Sequence, residues 1–313
     1  MDEQKSYKNS FHITTLNESN IKVVKMRGIE ISLIGDGDGT QVIHEKMEAG
    51  KKWAIVPDGE GYLEFFMLLS GEMTFKYKDT TRVITPGFSI SNVNQTDTML
   101  FISNTDCEFL YITSIPVFQH YAQSAAELEH MAISIEEKDG YTAHHCDNIK
   151  NMAILLADKL GLSSEQISII SYGAFFHDVG KVKIPLEILN KPGKLTKEEF
   201  EIMKKHTIYG AQLLRSLKNP LIDRAAVIVE QHHERWDGTG YPHGLKGEEI
   251  DIGAAIVSVV DSYDAITSDR VYQKRRSKEE AVEEIKRCRG TMYHPDVVDV
   301  FVKYVEEIDK LKK

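Results

Sequence analysis

Seven of the twelve histidines fall between residues 144 and 243, and several stand beside an acid or a second histidine: His144-His145, His177-Asp178 and His232-His233. Imidazole and carboxylate are the donors that borderline and hard divalent cations accept. A lone histidine is usually just packed or solvated, but several ligand-type residues on successive helical stretches point to a metal centre. Their contexts point the same way. His177-Asp178 closes the apolar stretch Ile167 to Phe176, His232-His233 closes Leu221 to Gln231, and Asp261 closes Ala254 to Val260. The carboxylates therefore start from buried walls, where an ionised group needs a cation or a set of hydrogen bonds. The bland alternative for Asp178 is a buried cap on the turn at Gly180.

A helical frame must hold these residues, and its punctuation is visible. Ser163…Gln166, Thr196…Glu199 and Ser277…Glu280 are capping boxes, each ahead of an apolar periodic run, and Gly161 reads as a helix stop. The texture changes near residue 115. Upstream, Met73, Phe75 and Tyr77 alternate with Glu72, Thr74, Lys76 and Lys78, the period of a strand with one wet face. Ser70-Gly71 and Pro86-Gly87 read as turns. Many short strands with regular turns predict a sandwich or barrel. The spacing predicts a multidomain chain of α and β parts: an all-β barrel over 1–115, a connecting helix over 116–136, its core at 117–136, and an all-α domain over 137–313.

His177-Asp178…Gly180-Lys181, His232-His233-Glu234 and Gly240-Tyr241-Pro242 resemble the HD-GYP group of the HD phosphohydrolase superfamily, with the motifs in order over about residues 137–305. The resemblance implies an all-α domain that degrades cyclic di-GMP, or sometimes another cyclic dinucleotide, with two or three metals, often iron or manganese. Carried over residue by residue, it implies a first site of His145, His177, Asp178 and Asp261. The second is His206, His232 and His233, with Asp178 bridging both. His144 is then a solvated neighbour. Trinuclear members carry a glutamate four residues before the first ligand histidine; Tyr141 stands there, so two divalent transition metals are expected. Asp178 and Lys181 are the catalytic candidates, Lys181 by contact with the phosphate or the bridging water. Arg270 resembles the guanidinium that clamps phosphate, and Asp264 is a further substrate-binding or ligand-supporting candidate. Gln273 stands where relatives often have a basic residue, and Lys274 could substitute. Ordinary surface charge remains the alternative for Lys181 and Arg270. Gly240-Tyr241-Pro242 is either a partner-binding or a purely structural loop. Two other activities stay open, an HD phosphohydrolase of mononucleotides and a non-enzymatic dinucleotide receptor.

Glu64-Phe-Phe-Met-Leu-Leu-Ser-Gly71 with Pro86-Gly87 resembles a cupin core. Metal-binding cupins need a His-x-His pair and a later histidine, yet no histidine occurs between His44 and His120, so a metal cupin is disfavoured. Gly35-Asp-Gly-Asp-Gly39 reads as a turn, because the twelfth position of a calcium loop starting at Asp36 would be Met47. A sensor that holds one small ligand, or a homodimer surface, is expected of such a barrel.

The net charge of −10 argues against a large basic surface and so against nucleic acid as partner. An anionic substrate must then find positive charge locally, which bound metal supplies. Hydrophobic residues at 42% and charged residues at 27% are the proportions of a soluble globular chain. Cys107, Cys146 and Cys288 have no short pairing, no apolar run reaches the ~20 residues of a membrane span, and no leader pattern is visible, so a cytoplasmic protein without membrane contact is expected.

Overall fold

The computed structural model describes residues 21–26, 28–55, 61–93, 96–118, 126, 130–133, 135, 144–217, 220–268 and 275–312. Tyr141, Arg270, Gln273, Lys274 and most of the helix expected over 117–136 lie outside the described residues.

Up to residue 113 the regular structure is all-β, as the period-two patterning predicts. Ten strands are described: β1 (Lys22–Met26), β2 (Ile29–Gly37), β3 (Thr40–Met47), β4 (Lys52–Ile55), β5 (Leu63–Ser70), β6 (Met73–Tyr77), β7 (Thr80–Ile84), β8 (Ser89–Val93), β9 (Met99–Ser103) and β10 (Cys107–Thr113). They form two antiparallel sheets, ordered β1-β2-β3-β10-β5-β8 and β4-β9-β6-β7. The β2–β3 hairpin turns on Asp38 and Gly39, both at positive φ (51° and 77°), the backbone that matches strand twist in a tight hairpin. Of the segment expected as a turn, Gly35 to Gly37 end β2 in register with Val42 to Thr40, and only Asp38-Gly39 turn. Gly71 carries the chain from one sheet to the other at φ 81°, and a Cβ there would lie 2.2 Å from the Asp106 carbonyl oxygen. Inward residues of both sheets, among them Ile31, Ile43, Met47, Phe66, Leu68, Met73 and Phe101, make one core. Trp53 packs in it against Phe101, Phe109 and Tyr111. His44 is 1% exposed, with Nε2 3.1 Å from Glu108.

From residue 145 the regular structure is helical: α1 (His145–Lys159), α2 (Ser164–Phe175), α3 (Leu186–Leu189), α4 (Lys197–Lys204), α5 (His206–Arg215), α6 (Pro220–Gln231), α7 (Ile252–Thr267), α8 (Lys278–Arg287) and α9 (Pro295–Asp309). All three anticipated capping boxes are formed, at Ser163, Thr196 and Ser277. Gly161 follows the end of α1 at φ 75°. Helices α1, α2, α6 and α7 enclose a core of Ile149, Met152, Ile170, Ile228, Val229 and Val257. Small residues allow the closest crossing. A Cβ on Gly173 would lie 2.7 Å from Ile228, and one on Gly253 2.5 Å from it.

The two parts pack together. Leu100 of β9 is 2% exposed and belongs to the helical core rather than the barrel core, and Lys76 Nζ meets Asp158 Oδ1 at 2.7 Å. No described helix is long and apolar enough to cross a membrane.

Candidate metal centre

The capping box at Ser163 starts α2 and fixes where its last residues emerge. The helix ends at Phe175, with Phe176 as its C-cap, so His177 and Asp178 leave on the following turn and Val179–Lys183 continues as a 3-10 helix. Gly180 decides what can approach. A Cβ there would sit 1.9 Å from the His206 carbonyl oxygen and 2.3 Å from the Gly210 nitrogen. Without that carbon, α5 lies directly on the turn, and His206, its first residue, reaches Asp178. Helix α6 delivers His232 and His233 just past its end, α1 delivers His145, and the middle of α7 delivers Asp261.

Two clusters result, with ligand-type atoms within 4.8 Å of one another in each: Asp178, His206, His232 and His233 in one, and His145, His177 and Asp178 in the other. Asp178 belongs to both. Its Oδ2 stands 3.4 Å from His177 Nε2, and its Oδ1 stands 3.3 Å from His206 Nε2. Asp261 Oδ1 lies 3.6 Å from His145 Nε2 and 3.9 Å from His177 Nε2, beside the second of these clusters. His144 precedes α1 and joins neither.

The rings are oriented from behind. His177, His206 and His232 each donate from Nδ1 to the backbone carbonyl three residues earlier, of Ala174, Met203 and Val229, all at 2.8 Å. A carbonyl only accepts, so Nδ1 carries a proton in each ring, which leaves Nε2 facing inward as the nitrogen a metal would take. His145 donates from Nδ1 to Asp264 Oδ2 at 2.7 Å.

Charge follows burial. Desolvation pulls His206 down to about 3 and His233 to about 4, against the opposing pull of nearby carboxylates, and holds His232 well below the ordinary histidine range. Desolvation also acts to lower His177, but Asp178 and Asp261 outweigh it and carry the ring up to about 9. For Asp178 burial acts upward, yet Lys181 and the histidines hold it well below the usual carboxylate value. The site is thus an ionised carboxylate among mostly neutral imidazoles.

Whether a cation fits is answered by the buried atoms that face the centre. Nε2 of His177, His206 and His232, and Oδ1 of Asp178 and Asp261, have no hydrogen-bond partner among the described residues. Such orphans are rare in folded proteins, and each costs roughly 1–3 kcal/mol. Five converging on one space match the donor set of divalent cations, and the residues present fit them.

Lys181 is 9% exposed and places Nζ 2.8 Å from Asp178 Oδ2, so it is a buried partner of the shared carboxylate and not surface charge. Of the two parts expected of Asp264, its placement is the ligand-supporting one. It is 1% exposed and engaged by His145 Nδ1 and by Lys312 Nζ at 3.3 Å, so it holds a histidine in place. Arg270 and Lys274 lie outside the described residues.

The Gly240-Tyr241-Pro242 loop reaches the site at His233, whose carbonyl accepts from the Tyr241 N–H at 3.2 Å. The Tyr241 ring lies on His233, with centroids 4.9 Å apart and planes tilted 34°. Gly240 is required there, since a Cβ would come within 2.4 Å of the Arg235 nitrogen. Glu234 holds the loop, and sequence reasoning gave it no role. It is 3% exposed and accepts from the backbone N–H of His243, Gly244 and Leu245 at 2.6, 3.1 and 3.1 Å. An acid next to two histidines looks like another ligand; the Gly-Pro-rich segment ahead of it was the signal of its real task.

The sequence profile of the family described as HD domain matches residues 122–297. The chain is 43% identical over 181 residues to a Thermotoga maritima protein named cyclic di-GMP phosphodiesterase, covering 58% of this chain and 49% of that protein. It is 35% identical over 177 residues to the 3'3'-cGAMP-specific phosphodiesterase 2 of Vibrio cholerae, covering 56% and 34%. The chain thus spans about half or less of the length of these curated relatives. Among solved structures, the β part is similar to a cupin domain of an XRE family transcriptional regulator from Enterobacter cloacae, at 15% identity and a TM-score of 0.26, covering 29% of this chain and 99% of that one.

Proposed function

The chain belongs to the HD domain family, and from that premise we propose that it is a metal-dependent phosphodiesterase that hydrolyses a cyclic dinucleotide, cyclic di-GMP first among them, under the control of its β part. The observation that carries this reading is the Asp178 carboxylate, one oxygen toward His177 and the other toward His206. A carboxylate shared in that way suits two cations a few ångströms apart. His145, His177, Asp178 and Asp261 would hold one, and His206, His232 and His233 with Asp178 the other, iron or manganese being the expected ions. When bound, such a pair lowers the pKa of water toward ~7 and neutralises charge on a phosphodiester.

The protein's own residues do the rest. The carbonyls of Ala174, Met203 and Val229 keep three imidazoles in the ligating tautomer. Lys181 keeps Asp178 ionised and sets a positive charge beside the attacked phosphate. Tyr241 stacks on His233 and walls that side of the site. The products are the linear dinucleotide pGpG, GMP, or both.

The test is a product assay on anaerobically purified, metal-loaded protein with cyclic di-GMP, 3'3'-cGAMP and GTP in parallel. Conversion of a cyclic dinucleotide to linear product, with GTP untouched, is expected. Tight binding of cyclic di-GMP without product would make the protein a receptor, and turnover of GTP alone would make it a mononucleotide hydrolase.

A further inference from the structure

Where the barrel meets the helices there is a cavity of about 130 Å³ that the metal chemistry does not use. Ile31, Trp53 and Leu100 line it from the β part; Ile154, Ile167 and Phe175 line it from α1 and α2. Lys51, Lys52, Lys150, Asn151, Ser168 and Ser171 stand at the same lining, and one acid, Glu45, is set among the apolar walls. Glu45 of β3 shares the inward face with Ile43 and Met47, and it is 3% exposed. Its Oε2 has no hydrogen-bond partner among the described residues.

A methionine or leucine would fill that position of the strand without leaving a buried polar atom unmet, which costs roughly 1–3 kcal/mol. A carboxyl kept there, beside mostly apolar walls, is the composition of a ligand site: apolar walls with a few convergent polar groups. The volume sets the size. A cavity of ~150 Å³ lined by aliphatic and aromatic groups takes a molecule as large as benzene. Burial pushes Glu45 up to about 8, against a smaller downward pull from a hydrogen bond with Trp53, so near neutral pH the group is largely an uncharged acid with an O–H to give and, beside the Trp53 contact, a lone pair to accept on. A planar amide edge, N–H beside C=O, satisfies both.

We propose that this cavity is a binding site for a compact, one-ring, largely apolar molecule with an amide or lactam edge, held by Glu45. The site is independent of the metal centre, and its occupant would lie against Phe175, two residues before His177.

The test uses the full chain and two probes of equal size, 2-pyridone, which has the edge, and toluene, which lacks it, titrated by calorimetry. The expected result is saturable binding of 2-pyridone about 10-fold or more tighter than toluene, one net hydrogen bond's worth. Glu45→Leu should reverse that order and Glu45→Gln, which keeps a donor and an acceptor, should preserve it. Ile154→Phe, on the opposite wall, should abolish binding of both probes with the melting transition retained. No saturable binding of 2-pyridone to the unmodified chain, or equal affinity in Glu45→Leu, would overturn the proposal.

Discussion

His145 and Asp264 form a buried pair, Nδ1 to Oδ2 at 2.7 Å with each side chain 1% exposed. Asp264 meets the ring on its Nδ1 side, so its part is to aim it. Replacing Asp264 with Asn keeps the shape but removes the charge that also meets Lys312. Loss of such a supporting partner typically costs ~10–100-fold in metal affinity or activity. Manganese titration of Asp264→Asn should show that weakening, with the far-UV circular dichroism unchanged; affinity equal to that of the unmodified chain would exclude an aiming role.

His206 belongs to only one of the two clusters. His206→Ala should therefore lower the metal content from two ions per chain toward one, measured by elemental analysis, and reduce hydrolysis of cyclic di-GMP by about 100-fold or more, since a two-metal clamp works only as a pair. Two ions retained per chain would contradict the ligand assignment.

Gly180 tests the path by which α5 reaches the site. A methyl group there collides with the backbone of His206 and Gly210, which no rotamer change relieves. Gly180→Ala should lower stability by about 1–3 kcal/mol, the usual cost of overpacking, and should lower metal occupancy with it. Denaturant unfolding followed by metal analysis measures both; a wild-type midpoint would mean the contact is looser than described.

Glu45 makes a pH prediction. Folded, it holds its proton to about 8, while an unfolded glutamate releases it near 4.5. Between those values the folded state binds more protons, so Glu45's contribution to stability is complete below 4.5 and declines as pH rises toward 8. Lys52, lowered to about 7 by burial and by Lys150 and Lys76, acts in the opposite direction, but only above about pH 7. Between pH 5 and 7 the melting temperature of Glu45→Gln should therefore gain on that of the unmodified chain with each pH unit. Parallel curves would place Glu45 in contact with water.

The candidate site was more legible in the sequence than its surroundings. Periodicity placed His177-Asp178 and His232-His233 at helix ends, and the capping box at Ser163 fixed where the first of those helices begins. What stayed hidden were roles that exist only across distance. Asp264 and Asp261 are both carboxylates on α7, three residues apart, and only packing against α1 reveals that one faces the Nδ1 side of His145 and the other the Nε2 side. Glu234 spends its charge on three backbone N–H groups that lie up to eleven residues downstream, beyond any local pattern.

The barrel was readable as a class but not in its outer contacts. Met73, Phe75 and Tyr77 gave the strand period, whereas Met99-Leu-Phe-Ile-Ser103 is buried at four of its five positions, on both faces. A run of that kind marks a strand covered on two sides, and here the second cover is helical.

Leu100 is where that covering becomes a matter of solubility. A chain cut back to residues 137–313 would keep every metal-ligating candidate yet lose the leucine that completes its core, together with Lys76, the partner of Asp158. It would present to water a greasy face on α1 and α2 that the intact molecule hides. Such a fragment should self-associate on concentration, and the β part, whatever else it does, serves as the helical part's built-in solubiliser.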